Sequence, residues 1–589
     1  MNSSKTIVEG YLRKNDWRVK ENSNSPYSYG GLGKYMTSEV SKDYWLREVY
    51  PEYITKEYLD NKLHIHDLGG LTLYCCGYSL KSVITMGVQG VPNIPVSSPA
   101  KHFDAILNQL ANLITIFQNE IMGAVAFSSF DTLLAPFVKN DELKYSEVKQ
   151  SMQNFVFSIN SNSRGGAEPA FSNITLDLTP PKDLLNEYAI IGSGMLDFTY
   201  KECQREMDMI NRAFCELMIK GDANGRPFAY PIPTYNIHDR FDWDNPNNDL
   251  LWEMSGKYGY PYFANYLNSD MNPEDARSMC CRLRLDLTEL RKRNGGLFGS
   301  GDSTGSIGVV TVNLPRIAYE NKGNEKSFYE ELDRVLDIAK DSLELKRKWL
   351  QKNVIETRLV PAFCTYVGTI RNHFSTIGIV GMNEMCENFF GEGIDILTEE
   401  GKSMAFRVGD HIRNKLLDFQ KETGNLYNYE ATPAEATSFR LALNDRKKHE
   451  DIITRGTKKA PYYTNSCHMN VGKVEGIKQL FDHQNDLQIQ FTGGTVIHCY
   501  LNSAVSGETA KSIIRTVCEN YKVPYVDISP LNRYCPEHGY IADDVSECPI
   551  CKRKLQMYQK ITGYMRCVDN YNDGKASEFA ERKQLEFEY

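Results

Sequence analysis

Two pairs of metal-ligating residues near the end of this 589-residue chain constrain its folding more than any other feature. Cys535-Pro536-Glu537-His538 and Cys548-Pro549-Ile550-Cys551 are a C-x-x-H and a C-x-x-C knuckle, nine residues apart. That spacing fits a closed tetrahedral zinc site of three thiolates and one imidazole. Four ligands leave no open position, so the site is structural rather than hydrolytic. A loop-rich segment this short has little apolar core, and the metal would supply much of its folding free energy. We place a small module at residues 526–589, after a larger unit at residues 1–525.

The stretch Lys560-Ile561-Thr562-Gly563-Tyr564-Met565-Arg566 follows the knuckles closely. A lone glycine among β-branched and aromatic residues reads as a turn needing positive φ. Upstream, the composition is that of an ordinary globular chain, 41% hydrophobic and 24% charged. A net charge of -9 gives no basic surface for gripping a nucleic-acid backbone, so nucleic acid is excluded as a partner and any bound nucleotide is a small one. A zinc-ribbon binding protein would explain residues 535–551 but nothing before them. No signal-peptide pattern or bilayer-length apolar run occurs, which predicts a soluble cytoplasmic protein with no membrane partner. Its fifteen scattered cysteines are expected to be reduced thiols.

Along the chain, Asn22 to Tyr35 reads as loop and is followed by helix up to about Leu63. On a strand, His64 and His66 share a face and, with Asp67, suit either a metal or hydrogen bonding to substrate or scaffold. Two histidines without a third ligand at suitable spacing favour hydrogen bonding. Apolar residues from Phe103 to Ile121 recur at helical period. The glycine-rich run Gly295 to Gly308 lacks both the Gly-Lys-Ser/Thr ending of a phosphate loop and the GxGxxG order. Short strands ending in Gly and small polar residues recur at Thr376–Glu384, Pro461–Ser466 and Thr492–His498, a mixed α/β pattern with ligands expected at strand ends.

Tyr74-Cys75, Met279-Cys280-Cys281-Arg282, Thr311-Val312-Asn313-Leu314-Pro315-Arg316, the two knuckles and Ile561-Thr562-Gly563-Tyr564 span nearly the whole chain. Their order and spacing resemble the large catalytic subunit of anaerobic, class III ribonucleoside-triphosphate reductases, a glycyl radical family. The resemblance implies a ten-stranded α/β barrel of two five-stranded parallel halves, with a central finger loop carrying a cysteine. It leaves no room ahead of the barrel for an ATP-binding regulatory domain. Another glycyl-radical enzyme, a lyase or dehydratase, is the alternative, but those relatives carry an Arg-Val-x-Gly-Tyr type loop and lack the adjoining zinc ribbon.

The resemblance also assigns roles. Gly563 stores a radical, because loss of a Cα hydrogen leaves a carbon conjugated with the amide nitrogen and the carbonyl. Cys281 becomes the thiyl that takes the ribose 3′ hydrogen, and Cys75 delivers hydrogen from across the ribose, with Cys76 a core thiol. Asn313 hydrogen-bonds substrate or reductant, His64 and His66 bind substrate, and Thr464-Asn465-Ser466 holds substrate phosphates. The implied partners are ribonucleoside triphosphates, dNTP or ATP specificity effectors, formate or a small redox protein as reductant, a radical-S-adenosylmethionine activase and a second copy in a homodimer. Air should cut the activated chain at Gly563 and release residues 563–589 as a fragment; a gel run after aeration checks this.

Overall fold

The computed structural model describes residues 3–14, 16–21, 23, 27–161, 168–269 and 303–585. Cys280, Cys281 and the glycine run up to Gly301 lie outside the described residues.

Strands built from Val- and Ile-rich runs, such as Gly305–Asn313 and His373–Val380, are buried along their whole length. Burial on both faces is what a parallel sheet wrapped by helices requires. Cys75–Gly77, Val125–Phe127, Ser172–Leu176, Ile232–Ile237 and Tyr262–Asn265 pair in parallel in that order. At one edge Gly305–Asn313 joins antiparallel to Cys75–Gly77, and His373–Val380 and Tyr427–Glu430 continue in parallel from it. At the other edge Tyr525–Pro530 joins antiparallel to Tyr262–Asn265 and carries Ile497–Leu501 in parallel.

The two outer edges then meet. The Gly493 N–H donates to the Tyr429 carbonyl at 2.7 Å and the Ala431 N–H to the Gly494 carbonyl at 2.8 Å, just ahead of Ile497–Leu501. Ten strands therefore close into a barrel of two parallel five-stranded halves running in opposite directions, as the resemblance implied. Leu63–Ile65 adds a short antiparallel strand beside Gly305–Asn313.

The period-2 alternation of strands decides what faces inward. Ile377 and Ile379 join the large outer core, whereas Phe374 packs with Cys75, Ala124, Ala126 and Leu426 in a separate inner cluster. Cys76 turns the other way into the outer core, where Tyr78 stacks on Phe117 with ring centroids 3.7 Å apart. Phe117 belongs to the helix Phe103–Gln118, shorter than the apolar period suggested because the chain enters strand Val125–Phe127 soon after it.

The glycine-containing stretch read as loop near the N-terminus is instead the start of helix Tyr29–Tyr44. The Ser28 hydroxyl caps it by accepting from the Gly31 N–H at 3.0 Å, and that capping outweighs the low helix propensity of Gly30, Gly31 and Gly33. Beyond the barrel, Asn532–Cys535, Gly539–Ile541, Gln556–Lys560 and Met565–Cys567 form a four-stranded antiparallel sheet carrying the two knuckles and the glycine loop. Among the described residues no helix is long and apolar enough to cross a membrane.

Candidate active site

The barrel wall places a row of inward side chains beside Cys75. Cys75 is the cross-strand partner of Ser306, the Ser306 hydroxyl lies 2.9 Å from that of Thr376, and Thr376 is the partner of Asn428. Directly opposed residues in a sheet point to the same face, so the four lie side by side on the inner wall. Asn428 is 1% exposed, yet neither atom of its carboxamide has a hydrogen-bond partner. Leaving a buried polar group unsatisfied costs about 1–3 kcal/mol, so such a group calls for a ligand. Gly493 gives it room, since a Cβ there would lie 2.9 Å from the Asn428 Nδ2. Nothing in the sequence around Asn428 marked it; its signal is purely spatial.

His64 and His66 do share a face, with ring centroids 4.7 Å apart and planes at 88°. Arg440 donates to the His64 Nδ1 at 3.1 Å, and the His66 Nε2 lies 2.8 Å from the Thr311 hydroxyl. Both rings are engaged in hydrogen bonds, and among the described residues no third ligating side chain joins them, so the pair is a hydrogen-bonding one. Burial first, and the cations Lys346 and Arg440 next, pull His66 down to about 3. Burial, the neighbouring His66 ring and Arg440 hold His64 well below its ordinary value.

Asn313 is fully buried and committed to the scaffold. Its Nδ2 donates to the Asn61 carbonyl at 2.8 Å and to the Asp445 carboxylate at 2.7 Å, and its Oδ1 caps helix Leu314–Glu320 through the Arg316 N–H at 3.4 Å. Asp445 also accepts from Asn61, Tyr463 and Arg316. The Asn-Leu-Pro order is a helix-start signature, and that signal was available in the sequence.

The Thr464-Asn465-Ser466 turn sits at the amino end of helix Met382–Phe390. Thr464 gives its N–H and hydroxyl to Glu384, at 2.9 and 2.7 Å. Asn465 is oriented so that its nitrogen donates to the Ala434 carbonyl at 3.1 Å and its oxygen accepts from Lys575 at 2.7 Å. Ser466, with φ of 45°, keeps a buried hydroxyl that has no partner. Of the three, Ser466 retains a polar side-chain group for a ligand. Thr464 and Asn465 line one cavity together with His498, Tyr500 and Thr562, so the turn and the glycine loop face the same space.

Gly563 is buried with φ of 142°, a backbone setting that favours glycine. Its carbonyl accepts from the Tyr262 hydroxyl, and the Tyr564 hydroxyl donates to Glu435. Arg582, buried at the end of helix Asp573–Glu581, clamps the loop by donating to the Lys560 and Ile561 carbonyls at 3.0 and 3.1 Å. Lys560 pairs with Asp527 at 2.5 Å, and Asp527 with His498 at 2.9 Å. Burial works against the Asp527 carboxylate, but these two neighbours hold its pKa below the usual range.

Cys535, His538, Cys548 and Cys551 converge, their ligating atoms all within 4.8 Å of one another, so the group could hold a metal ion. The Cys535 Sγ is 3.5 Å from the His538 Nδ1 and 3.6 Å from the Cys551 Sγ. A tetrahedron with metal–sulfur bonds of about 2.3 Å has edges of about 3.5–3.8 Å, so the donors fit. The Cys535 thiol is drawn down to about 6: burial opposes ionisation, but the Glu537 amide and His538 outweigh it.

A family model described as anaerobic ribonucleoside-triphosphate reductase matches residues 21–585. The chain is 23% identical over 585 residues to the anaerobic ribonucleoside-triphosphate reductase of Haemophilus influenzae, covering 92% of this chain and 80% of that protein. It is 23% identical to the Escherichia coli one over 583 residues, with the same coverage. Among solved structures, an anaerobic ribonucleotide reductase superposes with a TM-score of 0.77 at 19% identity, over 99% of this chain and 93% of that one. The Thermotoga maritima reductase with dATP bound in the specificity site gives 0.73 at 19% identity, over 96% of both chains.

The histidine pair sets an acid limit on stability. Below pH 6.5 the unfolded chain takes up protons that the folded His66, with its pKa of about 3, refuses, so stability falls as pH drops through that window. The loss in urea midpoint between about pH 7.5 and about pH 5.5 should be smaller in His66→Gln than in the parent.

Proposed function

Because the chain belongs to the anaerobic ribonucleoside-triphosphate reductase family, and is an oxidoreductase of that kind, we propose how its own residues divide the reaction. Gly563 stores the radical between turnovers. Cys281, assigned by its Met-x-Cys-Arg motif, passes its thiol hydrogen to Gly563, and its sulfur then takes the ribose 3′ hydrogen. The two bonds have similar strength, so the step runs both ways without a deep trap. The 2′ C–O bond breaks, the hydroxyl leaves as water, and Cys75 delivers hydrogen to the ribose. The two electrons come from the reductant, either formate oxidised to carbon dioxide or a small redox protein. Cys281 finally returns the 3′ hydrogen and recovers its own from Gly563.

The observation that carries this reading is the shared cavity: the glycine loop, through Thr562, and the Thr464–Asn465 turn open onto one space. Asn428 and Ser466 offer a nucleotide the polar atoms that the fold leaves unpaired. For the substrate phosphates we keep the Thr464-Asn465-Ser466 turn, whose Ser466 hydroxyl is unpaired; the Gly381 and Met382 N–H groups at the amino end of helix Met382–Phe390 are already given to the Thr464 and Ser466 carbonyls. Thr464 and Asn465 shape that turn, while His64, His66 and Asn313 position the wall behind it. The structure of the Thermotoga maritima reductase with dATP and CTP motivates the same two ligand classes here, a deoxynucleotide or ATP effector and a ribonucleoside triphosphate substrate. A homodimer, a radical-S-adenosylmethionine activase and a cytoplasmic location complete the reading.

Cys535, His538, Cys548 and Cys551 hold a structural zinc ion, which supplies folding free energy to the module that bears the loop. Cys548→Ala should lose the zinc and accept little or no glycyl radical while the barrel still binds nucleotide. Zinc content, nucleotide binding and EPR spin count on one preparation decide it; a zinc-free variant with normal radical yield would refute the role.

The central test is anaerobic activation followed by EPR and a CTP reduction assay. The parent chain should show a glycyl doublet and reduce CTP, and Gly563→Ala should do neither. Cys281→Ser should keep its doublet yet exchange no 3′ hydrogen, because the serine O–H bond is too strong to break. Cys75→Ser should still abstract that hydrogen without forming deoxynucleotide. Full activity in Cys281→Ser would overturn the assignment.

A further inference from the structure

The proposed radical position does not stand alone in its loop. Tyr262 lies on barrel strand Tyr262–Asn265, far from Gly563 in sequence, and its hydroxyl donates to the Gly563 carbonyl oxygen. The ring is nearly fully buried and held from one side by the Lys560 ammonium, 3.9 Å from the ring centroid. Lys560 in turn is fixed by the fully buried Asp527, which also bonds His498. His498 packs edge-on to Tyr262 with centroids 6.4 Å apart. Strand, cation, carboxylate and imidazole therefore converge on one phenol and aim it at one peptide oxygen.

We propose that Tyr262 is a positioning residue for the radical: its hydroxyl holds the Gly563 peptide plane and stabilises the carbonyl oxygen, with Lys560 and Asp527 locking its ring. The inference rests on the reading that Gly563 carries the radical. A glycyl radical keeps its stability only while the Cα orbital conjugates with the flanking peptide groups, and part of its electron density moves onto the carbonyl oxygen. A donor fixed at that oxygen favours this distribution. The fixed plane keeps the conjugation from being lost by rotation. A cation over the ring draws electron density from the phenol and strengthens the donor. The contact is a hydrogen bond from the phenol to the carbonyl oxygen.

The test uses the full chain, activated anaerobically, with Tyr262→Phe and with 3,5-difluorotyrosine in place of Tyr262. Phenylalanine keeps the ring for Lys560 and removes only the donor; difluorotyrosine, assayed at a pH below the lowered pKa of its phenol so that the hydroxyl stays protonated, keeps both. Thermal unfolding confirms that each variant is folded. EPR gives the spin count, the doublet line shape and the decay of the signal under strict anaerobiosis. In Tyr262→Phe the doublet should decay about two- to tenfold faster than in the parent, the factor to which one hydrogen bond of ordinary net strength corresponds. Difluorotyrosine should restore the parent lifetime. A folded Tyr262→Phe that accepts no radical, rescued by difluorotyrosine, would support the same role. A folded Tyr262→Phe with parent lifetime and line shape would overturn it. If Tyr262→Phe does not fold, a difluorotyrosine variant with a folded barrel but a short-lived doublet would overturn it, and one with a parent lifetime would support it. Absence of any doublet in the parent chain would instead refute the radical assignment of Gly563, a result distinct from failure of the Tyr262 proposal.

Discussion

A closed barrel must satisfy every polar group that it turns inward, because its own walls exclude the water that would otherwise do so. Most of the structure near the candidate site follows from that constraint. Asp445 is fully buried and takes hydrogen bonds from Asn61, Asn313, Tyr463 and Arg316. Burial still pushes its pKa up, which shows how strongly the site disfavours an unpaired charge. Removing one partner from such a network leaves the others exposed to the same desolvation cost, so the network stands or falls as a unit. The constraint is not met everywhere: among the described residues Asn428, Ser466, His373 and Thr432 are some of those that keep buried side-chain atoms without a partner.

One helix distributes these contacts. Glu435–Lys448 presents Glu435 to Tyr564 of the glycine loop, Ser438 to the Tyr463 backbone, Arg440 to His64, and Asp445 to Asn313. Its first residue also accepts the Ser23 N–H at 2.9 Å, and its carbonyl takes the Asn572 side chain at 3.2 Å. A shift of this helix would thus be felt at the histidine pair, the Thr464 turn and the loop together. The loop is held from its other side by Arg582 and by the Lys560–Asp527 pair, both buried, where an ion pair is costly unless its geometry and hydrogen bonds are good. Here Asp527 has a second partner in His498, and Lys560 also faces the Tyr262 ring.

Much of the site was legible in the sequence where chemistry is local. The knuckle spacing singled out Cys535, His538, Cys548 and Cys551, and the structure brings those four together into a group that could hold a metal ion. Alternation along a strand meant that Cys75 and Cys76 had to face opposite sides; the inner cluster around Phe374 decides that Cys75 is the inward one. The Asn-Leu-Pro order at 313 carried a helix-cap signal that a reading centred on substrate contact passes over. Tyr262, Glu435, Arg582 and Asn428 left no sequence mark, since each matters only through a partner distant in the chain.

The sequence by itself determined the mixed α/β character, the two-knuckle module and the glycine loop beside it, because strand alternation, ligand spacing and backbone preference act over a few residues. The tertiary structure alone decided the register between the ten strands, the partners that the histidine pair bonds, and which buried polar groups are paired. Those outcomes depend on register between strands hundreds of residues apart and on the cost of an unpaired polar group in a dry interior. No local pattern records either of them.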